Sequence, residues 1–375
     1  MTQDYSELAQ LGVQNLKPYI PGKPVSELKR ELGLQHVVKL ASNENPLGPS
    51  DEVTQAVNAA LTEQARYPDA SGFELKAKLA EKHSVATNQI TLGNGSNDVL
   101  VLLAQAFLTP QHNAVFSEYA FAVYPIATQA VGAVAKIAPA NSTQHAMPLG
   151  HDLAAMRELI DENTRLVFVA NPNNPTGTWL NSTDLEAFIA DVPKTALVVI
   201  DEAYTEYVTD QDVPDATHWL SKYENLVVTR TFSKAFGLAG FRIGYALSNP
   251  QVADLLNRIR PPFNVNSLAL IAAEIALDDK AYLERSLELN EAGKSYLKSE
   301  LEALGLTTIP SATNFLLVDM GQDAMPLNTA LLHEGAIVRP VGNYGLDNYL
   351  RVSIGLAEEN EFFIQALKKV LAKAS

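Results

Sequence analysis

Between Ile90 and Leu247, short apolar runs alternate with stretches of helical period. The runs are Ile90-Thr91-Leu92, Ala114-Val115-Phe116, Val134-Ala135-Lys136-Ile137, Leu166 to Ala170, Ala196 to Ile200, Leu226-Val227-Val228 and Ile243 to Leu247. Helical spacing is clearest at Val99–Leu108, at Phe121–Val131 and in the stretch opened by Thr183 and Asp184 through Leu185, Phe188 and Ile189. Strands that alternate with helices predict a mainly parallel sheet covered on both faces. Such a sheet carries its site beyond the carboxyl ends of the strands.

The flanks read differently. Up to about Arg30 there is no clear period, and Lys17-Pro18-Tyr19-Ile20-Pro21-Gly22-Lys23-Pro24 holds three prolines and a glycine, which predicts an extended arm lying on another surface. Leu40 to Gly48 is polar and turn-prone, hence a loop. Ser50 and Asp51 can cap a helix through Val53, Val57, Ala60 and Leu61; Arg66-Tyr67-Pro68-Asp69 breaks it, and another starts at Ser71-Gly72-Phe73-Glu74. After Asn249-Pro250, helical stretches at 252–259, 268–277 and 282–304 precede strand-like pieces at 314–318, 337–339 and 349–355. This is the texture of a smaller α+β lobe. The expected division is an amino-terminal arm over 1–40, a large domain over 41–255 and a small domain over 256–375.

Bulk properties narrow the function. A chain of 375 residues is long for one core, which favours two lobes sharing a cleft. The net charge of −15 argues against nucleic acid as a partner, so an anionic substrate must be caught by a local basic site. With no cysteine, disulfides and thiolate metal sites are excluded, and no metal site is expected. Met1 to Glu7 lacks the basic-then-apolar pattern of a secretory signal, and no apolar run approaches the roughly 18 residues of a membrane helix. No membrane partner is expected, and a cytoplasmic location is the default.

Candidate chemistry collects at the ends of the expected strands. Thr231-Phe232-Ser233-Lys234 follows one strand, Gly237 and Gly240 free the backbone, and Arg242 leads into the next. Hydroxyls, an amine and a guanidinium there form an anion-binding set around a nucleophile. Gly93-Asn94-Gly95-Ser96-Asn97-Asp98 is a strand–glycine turn–helix start, where free N–H groups meet an anion. It lacks the third glycine of the dinucleotide motif. Tyr119, just past another strand, reads either as core packing or as an aromatic stacked on a flat ring. Asn171-Pro172-Asn173-Asn174-Pro175-Thr176-Gly177 is a stiff loop that presents its side chains in fixed directions. Asp201 ends a buried strand, which costs desolvation unless a cation faces it, and Glu202-Ala203-Tyr204 follows. Glu202 is expected to face water. Arg351 lies in an otherwise apolar strand and must meet either an internal acid or a ligand anion.

The Thr231–Arg242 stretch resembles the cofactor-lysine segment of the fold-type I pyridoxal-phosphate aminotransferases. The likeness extends from Tyr19 to Gly355, through Asn43-Glu44-Asn45-Pro46-Leu47-Gly48, Arg66-Tyr67-Pro68, Asn174-Pro175-Thr176-Gly177 and Arg351-Val352-Ser353-Ile354-Gly355. Within the family it is nearest to the histidinol-phosphate aminotransferases. The resemblance implies a mainly parallel seven-stranded sheet in the large domain and pyridoxal 5'-phosphate as cofactor. It implies that Lys234 binds the cofactor covalently, that Thr231, Ser233, Arg242, Ser96 and Asn97 hold its phosphate, and that Asp201 faces its ring nitrogen. Asn174 and Tyr204 would bond the ring oxygen, Tyr119 would lie on the ring, and Tyr67 would reach the phosphate across a homodimer with shared active sites. Tyr19, Asn43, Arg339 and Arg351 would bind substrate. The implied reaction is amino transfer from L-histidinol phosphate to 2-oxoglutarate, giving imidazole acetol phosphate and L-glutamate. Aromatic amino acid aminotransferases and threonine-phosphate decarboxylases share the pattern. Cofactor-binding regulators of the same fold carry an added amino-terminal DNA-binding domain; the short arm before the aminotransferase-like region and the net charge of −15 weigh against that reading.

Overall fold

The computed structural model describes residues 5–18, 22–210 and 212–374. Along the described residues the first strand, β1 (Val38–Lys39), belongs to a minor pair. Seven strands then build the main sheet: β2 (Ile90–Gly93), β3 (Asn113–Ser117), β4 (Val134–Ala138), β5 (Thr164–Ala170), β6 (Leu197–Asp201), β7 (Leu226–Thr231) and β8 (Gly244–Ser248). The last five are β9 (Thr307–Thr308), β10 (Phe315–Asp319), β11 (Ala336–Ile337), β12 (Arg339–Val341) and β13 (Leu346–Ser353).

The main sheet runs β2-β8-β7-β6-β5-β3-β4 and is parallel except for β8, which is antiparallel to both neighbours. The central strands read as unbroken apolar runs because both faces are covered. On one face, the helices Ser96–Phe107, Val123–Ala130 and Pro250–Ile259 pack Leu100, Leu103, Tyr124 and Leu256 against Phe116 and Phe168. On the other, the helix Ser182–Asp191 seats Leu185, Phe188 and Ile189 on Val167, Val198 and Val228. The helix Asp51–Ala60 starts where the sequence places it, with Ser50 Oγ accepting from the Val53 N–H at 3.3 Å.

A second sheet, β12-β13-β10-β9, is antiparallel throughout. The helices Lys280–Ala303, Ala324–His333 and Ala357–Ala374 contribute Leu297, Leu331 and Phe363 to its core, which also takes in Val38 and Leu40. The early chain is held there by parallel pairing of β1 with β11. Among the described residues no helix is long and apolar enough to cross a membrane.

Two expectations change. The arm is not extended throughout, because Val25–Leu32 is a helix. Pro24 stands at its N-cap, a position with no need of an N–H, Gly33 ends it in the left-handed conformation, and Leu28 is buried. The piece expected at 337–339 is split in two: Ala336–Ile337 pairs with β1, while Arg339 begins β12 in the second sheet.

Candidate active site

A cleft of about 290 Å³ opens at the carboxyl ends of β5, β6 and β7, beside the start of the helix Ser96–Phe107. Of the residues singled out in the sequence, Ser96, Asn97, Asn174, Asp201 and Tyr204 line it, together with Thr231, Ser233, Lys234 and Arg242. The wall also includes Ser42, Glu44 and Phe121, which the sequence did not mark individually.

One end is built for an anion. The helix Ser96–Phe107 begins at Gly95 (φ 85°) with no side-chain cap, so its first N–H groups and the positive end of its dipole face the cleft. A Cβ on Gly244 would run into the Ser96 nitrogen, and one on Gly95 would run into Arg242 Nη2. These two bare backbones are what allow the helix start, β8 and the guanidinium to crowd together. Arg242 itself adopts a left-handed φ of 59°, and its Nη1 donates to Ser233 Oγ at 3.2 Å and to the Ala239 carbonyl at 2.9 Å. Thr231 Oγ1 accepts from the Ser233 N–H at 3.1 Å. Main-chain N–H groups, a guanidinium and hydroxyls converging on one end make a donor set suited to a phosphate dianion.

At the other end lie the amine and the acid. Lys234 Nζ donates to the Ser42 carbonyl at 3.3 Å and sits 5.6 Å from the centre of the Tyr204 ring. Burial, reinforced by the Arg351 and Arg242 charges and opposed by Glu44 and Asp201, lowers its pKa to about 8. Asp201 is 4% exposed; burial raises its pKa, and hydrogen bonds from Tyr124 and Thr229 and the charge of Lys234 pull against that rise. Burial pushes the Tyr204 phenol up to about 12, and its Oη accepts from Asn43 Nδ2 at 2.9 Å. Asn43 is fixed in turn by Ser353, whose Oγ accepts from the Asn43 N–H and donates to Oδ1.

Arg351 is buried on β13 beside the cleft. It donates from Nη1 to Asn174 Oδ1 at 2.5 Å and from Nη2 to the Ala41 carbonyl at 2.8 Å, with its guanidinium 5.3 Å over the Phe315 ring. These contacts are to an amide, a carbonyl and an aromatic face. Arg339 is its register partner across β12 and β13, yet it lines a neighbouring cavity with Lys17, Glu118 and Tyr344. Tyr119 packs with Leu149, Leu317 and Tyr344, and the same turn sends Phe121 to the cleft wall. Tyr67 is 82% exposed and stacks on Phe263 with ring centres 4.7 Å apart. Tyr19 falls outside the described residues.

Glu202 does not face water. It is 1% exposed, and its Oε2 accepts from Arg230 Nε and Nη2 at 2.9 and 2.6 Å, while its Oε1 accepts from the Ala216 N–H. The signal for this was Arg230 itself, a guanidinium inside an apolar strand that had to find an acid. Tyr124 and Thr229, both bonded to Asp201, were also missed. Thr229 stood out only as a hydroxyl in a buried run, and Tyr124 gave no signal beyond being an aromatic in an apolar helix.

The model of the family "Aminotransferase class I and II" matches residues 35–367. The chain belongs to that aminotransferase family. The aminotransferase span takes in the cleft wall and Arg351 alike. This aminotransferase is 59% identical to histidinol-phosphate aminotransferase 2 of Pseudomonas fluorescens strain Pf0-1, with both chains covered in full. It is 59% identical to histidinol-phosphate aminotransferase 2 of Pseudomonas aeruginosa over 98% of this chain and 99% of that one. Among solved structures, it superimposes on histidinol-phosphate aminotransferase from Sinorhizobium meliloti in complex with pyridoxal-5'-phosphate. The TM-score there is 0.88 at 28% identity, covering 97% of this chain and 98% of that one. The mainly parallel seven-stranded sheet is the fold expected of an aminotransferase of this type.

Proposed function

We propose that this aminotransferase is a pyridoxal-phosphate-dependent histidinol-phosphate aminotransferase of histidine biosynthesis, with 2-oxoglutarate as amino acceptor. The observation that carries the reading is full-length identity of 59% to a relative named for that substrate. The cleft supports it with an anion cup at one end and an amine with a buried carboxylate at the other. Pyridoxal phosphate, when bound, supplies an electron sink for negative charge at the substrate's α-carbon.

In this reading Ser96, Asn97, Thr231, Ser233 and Arg242 hold the cofactor phosphate, and Asp201 keeps the ring nitrogen protonated by offering it a buried negative charge. Tyr204 and Asn174 bond the ring oxygen, and Tyr119 lies beside the ring. Lys234 would bind the cofactor and, once freed, would take the proton from the substrate's α-carbon as base and deliver it to the cofactor's carbon as acid. Its depressed pKa suits that task, because a base works best when its pKa lies near the working pH. Arg351, with Asn43 and Tyr19, grips the anionic end of the substrate, and Arg339, on the strand beside it in the neighbouring cavity, is the second clamp. Tyr67, with Phe263 stacked on it, is exposed so that it can pack on a second copy and complete that copy's phosphate site. The chain divides at about residues 40 and 255, with the cleft lined by the large domain and Arg351 of the small domain beside it.

Substrate choice is tested by bleaching of the cofactor absorbance in single half-reactions with L-histidinol phosphate, L-phenylalanine, L-histidine and O-phospho-L-threonine. L-histidinol phosphate is expected to react fastest and without release of CO₂. Faster reaction with phenylalanine, or CO₂ release from phosphothreonine, would overturn the assignment.

Lys234 also carries a pH prediction. Only the neutral amine attacks an aldehyde, so capture of pyridoxal phosphate by cofactor-free protein should rise about tenfold per pH unit and level off above about 8. An ordinary lysine would keep rising past pH 10, and a stopped-flow rate profile separates the two.

A further inference from the structure

Asp201 ends β6, and both of its carboxylate oxygens are already claimed by hydroxyls. Tyr124 Oη donates to Oδ2 at 2.8 Å, and Thr229 Oγ1 donates to Oδ1 at 2.9 Å. The two donors come from separate elements. Tyr124 lies in the helix Val123–Ala130 that covers the sheet, and Thr229 is the register partner of Asp201 on the adjacent β7. Neither donor can swing away. Tyr124 is fully buried and stacked on Phe168, with ring centres 4.7 Å apart and planes 6° from parallel, while Phe121 meets it edge-on. Thr229 is likewise fully buried. The Tyr124 phenol has one polar atom, and that atom is committed to Asp201.

We propose that Tyr124 and Thr229 are positioning residues that keep the Asp201 carboxylate ionised and aimed at the ring nitrogen of bound pyridoxal phosphate. The inference rests on the role given to Asp201 under the proposed function. A carboxylate taken out of water tends to keep its proton, and a second cation beside it would compete with the ring nitrogen for its charge. Neutral hydroxyl donors stabilise the anion without that competition. The titratable groups facing this pair are Tyr204 from the turn after β6, Lys234 from the segment after β7, and Tyr344 from the turn Gly342–Tyr344 on the Tyr124 side. Lys234 is the cation among them, and in the proposed reaction it is engaged with cofactor and substrate. The hydroxyls are therefore the donors that stay with Asp201 throughout.

The test compares two ligands that differ only at the ring nitrogen: pyridoxal phosphate and its carbocyclic analogue, in which that nitrogen is replaced by C–H. Dissociation constants are measured for the full-length protein, freed of cofactor, as wild type, Tyr124→Phe, Thr229→Val and Thr229→Ser. Wild type should prefer pyridoxal phosphate. At neutral pH that preference should fall about tenfold in Tyr124→Phe and in Thr229→Val, as for loss of a hydrogen bond to a charged group. It should be retained in Thr229→Ser and regained by the two defective variants as pH rises, because the Asp201 pKa goes up when a donor is removed. Equal weakening of both ligands, with the preference unchanged, would overturn the proposal. Should Tyr124→Phe not fold, the contrast between Thr229→Val and Thr229→Ser decides the question by itself. A wild type that binds the two ligands equally would instead overturn the role of Asp201 itself.

Discussion

Lys234→Ala is expected to lose turnover by at least about a thousandfold, the scale on which a positioned acid–base group acts in the rate-determining proton transfer. The loss should fall on kcat more than on cofactor retention. The anion cup is made by other residues, namely the helix start at Ser96, Ser233 and Arg242, and it survives the substitution. Pyridoxal phosphate should therefore remain bound but without the covalent link, so its absorbance should become that of the free aldehyde and should no longer respond to pH through the lysine. Steady-state transamination of L-histidinol phosphate and a spectrum of the purified variant test both parts. Near-normal turnover in the alanine variant would remove the basis of the proposed reaction. A variant that lost the cofactor altogether would show instead that the covalent link, and not the cup, supplies most of the binding.

Arg230→Ala is expected to cost about 3–5 kcal/mol of folding stability, measured by urea denaturation, because it leaves Glu202 buried without its cation. Arg230 and Glu202 have side chains 5% and 0% exposed, and Arg230 Nη2 also donates to Asp215 Oδ1 at 2.6 Å. Burial opposes ionisation of Asp215, but the Arg230 charge and bonds from Arg230 and Thr217 outweigh it and hold its pKa at about 2. Burial pushes Glu202 up to about 7 even with Arg230 in place. Without Arg230 the folded protein favours protonated Glu202 more strongly than the unfolded chain does. The deficit should therefore be smallest below the unfolded carboxylate pKa and grow as pH rises towards and past 7. Replacing both partners with apolar residues, as in Arg230→Met with Glu202→Leu, should cost less than Arg230→Ala alone, since no charge is then stranded.

The sheet and the strand ends were legible because each rests on local sequence. Apolar runs with β-branched residues specify strands, and glycines, hydroxyls and prolines directly after them mark where the chain leaves the sheet. Ser96, Asn174, Asp201 and Lys234 share a cleft because the strands preceding them are parallel, which follows from the alternation of strand and helix. What escaped depends on neighbours that are remote along the chain. Glu202 looked exposed because its partner Arg230 is 28 positions away and meets it only through the pairing of β6 with β7. Tyr124 is 77 positions from Asp201. The helix Val25–Leu32 was hidden by the prolines before it, although Pro24 and Gly33 mark its two ends. Arg339 and Arg351 read as a pair and are indeed opposite each other in register, yet Arg351 is bonded to Asn174 and Ala41 while Arg339 lines a neighbouring cavity with Lys17 and Glu118.

The antiparallel return of β8 alongside β7, with Thr231 opposite Gly244, ties the length of the intervening segment to its use. Lys234 leaves from one limb of that return and Arg242 arrives on the other, so adding or deleting a residue between them would change the spacing of the amine and the guanidinium across the cleft. Composition is held there as well as length, since Ala235, Phe236 and Leu238 are buried and a Cβ on Gly237 would strike the Gly48 carbonyl.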